Sequence, residues 1–348
     1  MPITLHMAQI NARSDIDHAV IDNLRRYSWV FDQMTFDDAV TPGVGGGTLV
    51  YGFTLLKTAR GGAFRAINSE YTPSQAEREH RTVELRPFGG SYNIDRVLAS
   101  LGPSATNEVA FQMQQLIVGA TVSLQEQMIN GDTAAEPNGW DGLDKLLVGS
   151  STEYVPDPGG DEYTDWTISA VDSPTAANQR LDQLDEWLSS IVPSRVGSGD
   201  QSVPGAVPPG VKAIIGNTRS IGRLRALARW ASIYTETKDD LGRQIERYRD
   251  WVLIDAGDNA LGTSPIVPIE TRTVGGESVT GLTDLYAVSF GLDAFHGAML
   301  AGGPLVQAWM PDFSQAGAVK TGELEIGPAA VVLRNTKSCG VFRNIKVA

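Results

Sequence analysis

The chain has 348 residues, 42% hydrophobic and 20% charged, a globular composition large enough to bury a core without disulfides or metals. Its 28 Lys and Arg against 41 Asp and Glu leave a net charge of −13, which argues against a protein that wraps nucleic acid by neutralising phosphates. Cys339 is the only cysteine and His6, His18, His80 and His296 lie far apart, so a disulfide framework, a CxxC site and a local histidine cluster are excluded.

The apolar spacing of Ile16, Val20, Ile21, Leu24 and Trp29 predicts a weak helix over 14–34. Asp17 and Asp22 come early in it and Arg25 and Arg26 late, the order that the helix dipole favours. Periodicity lapses over 35–47, which ends in the glycine run 43–47. This run reads as a hinge. Thr48 stands where a dinucleotide fingerprint needs its third glycine, and the run precedes a strand instead of following one.

Alternation predicts strands over 48–57 (Leu49, Tyr51, Phe53, Leu55) and 80–86 (Val83, Leu85), separated by about twenty residues with no clear element. A loop of that length is out of place inside a compact domain, whereas a projecting hairpin arm accommodates it. Residues 48–90 carry Lys57, Arg60, Arg65, Arg78, Arg81 and Arg86 against Glu70, Glu77, Glu79 and Glu84, a net +2 against −15 for the rest. A relatively basic arm on an acidic body suits contact with a second copy of the chain.

The strongest element is a helix over 106–130, with Val109, Met113, Leu116, Ile117, Ala120, Leu124 and Met128 stepping by three or four. Ser104 or Thr106 can cap its start and Gly131 its end, giving a rod of roughly 37 Å. Gln112, Gln115, Thr121 and Gln125 are assigned to its outer, polar face. Residues 131–173 read as loop. A second helix spans 174–192, capped by Ser173, opened by Pro174 and stopped by Pro193. After a Gly/Pro/Ser-rich loop (195–210) come a buried strand (211–215) and a helix (218–232). This helix has Ile221, Leu224, Leu227 and Trp230 inside and Arg219, Arg223, Arg225 and Arg229 outside, a solvated or ion-paired face. Further strands are predicted over 251–255, 284–290, 304–310, 322–333 and 338–347. The fold class is α+β, with β-rich ends and a helical middle.

No motif carries catalysis: GxxxxGK[ST], GxSxG and HExxH are all absent. The segment 157–165 (DPGGDEYTD) holds four carboxylates without the spacing of an EF-hand and reads as a solvated loop. No catalytic, cofactor or metal residue is assigned. No apolar run reaches membrane length, and the first basic residue is Arg13, outside any signal-peptide pattern, so no membrane partner is expected.

The order of these elements resembles the major capsid proteins of tailed bacteriophages, with the Hong Kong 97-type (Johnson) fold. The resemblance rests on the hairpin, the long helix, the stretch NGDTAAEPNGWDGLDKLL (130–147), KAIIGN (212–217), KDDLGRQIERYRDWVLIDAG (238–257), TDLYAVSFG (283–291) and the final SCGVFRNIKVA. It implies an N-terminal arm (1–45) and an E-loop hairpin (46–91). It also implies a peripheral domain (92–132 and 296–348) with a spine helix (105–130), and an axial domain (133–295).

The function implied is a structural, non-enzymatic subunit that forms homo-hexamers and homo-pentamers of an icosahedral head. That head encloses double-stranded DNA without specific binding and is assembled in the host bacterial cytoplasm. Portal, separate scaffolding and decoration proteins are the implied partners. The E-loop residues Lys57, Arg60, Arg65, Arg78, Arg81 and Arg86 are the implied contacts between subunits. One branch of the family cross-links a hairpin lysine to a peripheral asparagine beside a carboxylate. The corresponding candidates are Lys57, Asn335 or Asn344, and Glu325. The same fold also builds encapsulin-type bacterial compartments, the main alternative. A soluble enzyme of unrecognised class and a tail-tube or decoration protein are the others.

Overall fold

The computed structural model describes residues 28–40, 49–58, 61–73, 75–100, 108–157, 160–191, 211–230, 235–238, 244–302 and 304–348. The predicted helix over 14–27, the glycine run, Arg60, the 195–210 loop and the Asp-x-Gly-Arg segment at 240–243 lie outside the described residues.

The helices are α1 (Trp29–Gln33), α2 (Arg96–Ala99), the spine α3 (Glu108–Asn130), α4 (Leu143–Leu147), α5 (Pro174–Ser190) and α6 (Thr218–Trp230). The strands begin with β1 (Phe36–Val40), β2 (Val50–Thr58), β3 (Glu77–Glu84), β4 (Arg86–Asp95), β5 (Glu153–Tyr154) and β6 (Thr164–Asp165). The middle of the chain adds β7 (Lys212–Gly216), β8 (Thr235–Lys238), β9 (Gln244–Tyr248), β10 (Trp251–Asp255), β11 (Glu270–Val274) and β12 (Glu277–Ser289). The last are β13 (Phe295–Leu300), β14 (Val306–Trp309), β15 (Val319–Leu333) and β16 (Cys339–Lys346).

Nine strands form one mixed sheet in the order β5-β16-β12-β7-β10-β9-β8, with β11 beside β12 and β6 beside β16. Its central strands are apolar on both faces, as strands covered on both sides must be. Ile214, Leu285 and Phe342 face α5 and α6, where they meet Leu181, Leu184, Trp187, Ile221, Leu224 and Leu227. Their neighbours Ile215, Tyr286 and Val341 face the opposite way, into a core shared with Leu124 and Met128 of the spine and with Leu143 and Leu147 of α4. Helix α5 starts as expected, with Ser173 Oγ accepting from the Ala176 N–H at 3.3 Å and Pro174 in the first turn. In α6, Asn217 Oδ1 accepts from the Ser220 N–H at 2.9 Å.

The second sheet runs β1-β13-β15-β14, with β4 also on β15. The long β15 changes partners along its length: 319–322 lies against β4, 323–326 between β4 and β14, and 329–333 against β13. The change comes at Gly327, whose φ of +101° is a glycine conformation and whose N–H reaches the Leu305 carbonyl at 2.7 Å. The spine underlies this sheet, and a Cβ at Gly90 of β4 would stand 2.8 Å from Leu116.

Several expectations are corrected. Gln125 is not on an outer face. It is fully buried, donating from Nε2 to the Ala256 carbonyl at 2.8 Å and accepting from the Val30 N–H at 3.0 Å. It therefore ties the arm and the end of β10 to the spine. Ile117 and Trp230, expected inside, are 41% and 48% exposed. Residues 86–91, expected in the hairpin, belong to β4 in the five-stranded sheet, because Leu85 is buried and ends the hairpin at the body. The closing strand β16, assigned to the peripheral domain by resemblance, pairs with β12 in the nine-stranded sheet.

Replacing Gln125 by Leu leaves two main-chain groups buried without a partner, at about 1–3 kcal/mol each. The expected outcome is a fall of about 3 kcal/mol in unfolding free energy at unchanged slope, read from urea midpoints.

Candidate assembly surfaces and a buried charge cluster

Strands β2 and β3 pair from Val50↔Glu84 out to Thr58↔Glu77, a ribbon of about 27 Å at some 3.3 Å per residue. Burial falls away along it. Tyr51, Phe53 and Leu85 are buried at the root, and Lys57 and Arg78 are exposed further out. Every described residue of the tip (61–73) is exposed, including the apolar Phe64, Ile67 and Tyr71. The tip is nevertheless ordered by its own bonds. Arg65 Nη1 donates to the Ser69 carbonyl at 3.0 Å, its guanidinium lies 5.4 Å from the Tyr71 ring centre, and Ser69 Oγ donates to the Ala66 carbonyl at 2.9 Å.

Part of the basic charge expected to face a neighbour is cancelled within the chain. Arg81 pairs with Glu79 at 3.1 Å and Arg86 with Glu84 at 2.5 Å. Exposed pairs of this kind contribute little stability, and what they change is the charge the arm presents. The apolar tip is the surface that the charge count missed, and the isolated Phe, Ile and Tyr of a polar loop were its only sequence signal.

The cross-link candidates are not gathered on one element. Glu325 lies on β15 opposite Gly89 and Gln307. Asn335 caps the 3-10 turn Thr336–Ser338. Asn344 lies in β16, its carboxamide accepting from Arg272 at 3.2 Å and donating to the Glu162 carbonyl at 3.0 Å.

A buried charge cluster went unread in the sequence. Between Thr283↔Ile345 and Leu285↔Phe342 the register of β12 against β16 shifts by one residue, so Arg343 and Asn344 both oppose Asp284 in a β-bulge. Asp284 is 2% exposed. It accepts from Arg343 Nη1 at 3.1 Å, from Arg272 Nη1 at 2.7 Å and from the Asn344 N–H at 2.9 Å. Arg343 also reaches Glu153 at 2.9 Å and Asp144, which accepts from the Tyr286 hydroxyl at 2.9 Å. Burial works against the charge on Arg343, but Asp284 and Asp144 outweigh it and hold its pKa above the ordinary value. Burial raises the Tyr286 hydroxyl well above its ordinary value, and the two carboxylates add to this.

The cluster borders a cavity of about 470 Å³ shared with Glu126 and Asn130 of the spine. The carboxylates of Asp284, Asp144 and Glu153 are engaged by guanidinium, hydroxyl and main-chain donors, whereas burial raises the Glu126 carboxyl above its ordinary pKa. Among the described residues, no group of three or more His, Cys, Asp or Glu is placed to hold a metal. In the acidic 157–165 segment, Asp157 accepts from the Gly160 N–H and Asp165 from the Thr167 N–H, so both shape the loop.

No family model and no curated protein matches the chain. Solved structures do. The subunit of the holo-SrpI encapsulin complex from Synechococcus elongatus superposes with a TM-score of 0.58 at 13% identity, over 100% of this chain and 98% of that one. The capsid of the native GTA particle gives 0.55 at 10% identity, over 94% and 93%. The capsid of Myoviridae phage XM1 gives 0.54 at 12% identity, over 94% and 95%. The chain has the Hong Kong 97-type (Johnson) fold. Coverage of at least 93% on both sides means that the Johnson fold takes in hairpin, spine and both sheets together.

Arg343→Leu strands Asp284 and Asp144 without their shared cation and is expected to cost about 3–5 kcal/mol. Adding Asp284→Leu recovers part of that loss. A double-mutant cycle by urea denaturation checks it, and strictly additive losses refute a coupled pair.

Proposed function

We propose that the chain is the structural subunit of a closed icosahedral shell, the head of a tailed double-stranded DNA phage. The observation that carries this is the Johnson fold over nearly the whole chain, together with a hairpin whose apolar tip stands clear of its own body. Two strands alone are marginal in water, and an ordered tip presenting Phe64, Ile67 and Tyr71 suits a surface completed by a second copy. Hexamers and pentamers tile the shell. The arm covers 1–45 and the E-loop hairpin about 46–85. The spine and five-stranded sheet form the peripheral part, and the nine-stranded sheet with α5 and α6 the axial part. The net charge of −13 keeps the wall from gripping the enclosed genome. Portal, scaffolding and decoration proteins complete the head, and no catalytic step is assigned to the subunit. The second reading is an encapsulin-type compartment, favoured by the end-to-end match to the Synechococcus subunit.

Electron microscopy of the purified chain is expected to show closed shells or six- and five-fold rings, and a uniform field of small particles refutes both readings. Nuclease-protected DNA in shells from the producing cell supports the phage head, and a protein cargo supports the compartment. The triple variant Phe64→Ser, Ile67→Ser, Tyr71→Ser is expected to fold with an unchanged urea midpoint and to fail to close shells. In wild type, trypsin is expected to cut the free subunit at the hairpin, around Lys57 and Arg78, and to leave it intact in shells.

A further inference from the structure

The root of the hairpin rests on a buried imidazole. His296 of β13 is completely inaccessible, and its ring nitrogens have no well-formed hydrogen bond, the Ala294 main chain being the polar group beside them. The Tyr51 ring of β2 packs edge-on against it, with centroids 5.9 Å apart. The Tyr51 hydroxyl donates to Asp37 Oδ2 of β1 at 2.8 Å. Strand β1 is itself held to β13, Phe36 pairing with Gly297. The arm strand, the hairpin root and the body sheet therefore meet around one side chain that is buried as a neutral group.

Most buried polar groups in folded proteins are well bonded, and a fully buried ring with so little polar support calls for an explanation. We propose that His296 is an acid-sensitive latch whose protonation releases the hairpin root and β1 from the body sheet. The inference goes beyond shell formation, since it concerns one subunit and holds whatever the hairpin touches. The charged and titratable groups facing the ring are Asp37 of β1, Tyr51 of β2, Asp293 ahead of β13 and Arg334 just after β15. Burial is the dominant influence and opposes the charged ring. Arg334 opposes it too, while the Ala294 main chain, Asp37 and Asp293 favour it less strongly, leaving the ring with a pKa of about 4.

The native state therefore binds fewer protons than an opened root between about pH 6.5 and 4. The latch holds above that window and weakens as pH falls through it. Opening the root lets the ring take its proton from water, so acid favours the opened form. No histidine lies on the strands of the nine-stranded sheet, whose central charges are Arg343, Arg272 and Asp284.

The test is amide hydrogen exchange on the full-length chain at pH 7.5 and 4.5, corrected for the intrinsic pH dependence of exchange and read by mass spectrometry. Protection over 36–40 and 50–53 is expected to fall on the order of 50-fold at the lower pH while 339–346 holds. In His296→Phe and in His296→Gln the acid response of the root is expected to vanish. Unchanged protection of the wild-type root at pH 4.5 overturns the proposal without recourse to any variant. So does an acid response that persists in the His296 variants. A response lost only in Asp37→Asn assigns the sensor to that carboxylate and likewise overturns it.

Discussion

The body of the molecule depends on the carboxylate of Asp284. A charge this buried is tolerable only when it is paired and fully hydrogen-bonded. Its partners come from two strands that flank β12. The bulge in β16 brings the Arg343 side chain and the Asn344 N–H onto it together, and β11 adds Arg272. Arg343 then draws in Asp144 and Glu153, which follow the spine helix. The final strand is thus an electrostatic closure. Without it, Asp284 keeps Arg272 and loses both the Arg343 guanidinium and the Asn344 N–H. The segment after the spine also lacks the cation that fixes it.

That closure decides where the spine can lie. Its carboxyl half packs Leu124 and Met128 against the face of the sheet that carries Tyr286 and Val341. Gln125, between those two, bonds outward to the arm at Val30 and inward to Ala256 after β10. The long helix thus packs against the nine-stranded sheet at one end and lies under the five-stranded sheet at the other, so one core spans both. The hairpin is constrained differently. Its strands bond mainly to each other, only its root is buried, and beyond Phe53 little of it is fixed by the subunit. The chain thus divides into a body tied together by its core and an arm that is largely self-contained.

What was legible in the sequence follows from the range of the interactions involved. The spine, α5 and α6 announced themselves through local periodicity and caps. Strands β2, β7, β10, β12, β15 and β16 did so through apolar runs or alternation. Strands β9 and β11 are rich in charge, and their partners rather than their own residues make them strands. Gln125 was read as solvent-facing because its type is polar, and the groups that satisfy it lie 95 and 131 residues away. Asp144 and Arg343 are 199 residues apart, and no spacing rule spans that distance. Lys57 and Arg78 lie exposed on β2 and β3. The loss of free charge at Arg81 and Arg86 depended on i, i+2 neighbours sharing one face of a strand, which the counting of charges ignored.

The contrast between the two buried polar centres carries the argument a step further. Around Asp284 every acceptor is met by a donor, so the nine-stranded sheet gains definition from its charges. At His296 the ring is buried with little polar support, so the junction of arm, hairpin and body is held by the packing of Tyr51, Phe53 and the sheet, with the Tyr51–Asp37 hydrogen bond at its edge. Packing of that kind is strong only while it stays dry. The hairpin root, where an exposed ribbon joins a packed sheet, is therefore the less securely bonded of the two centres.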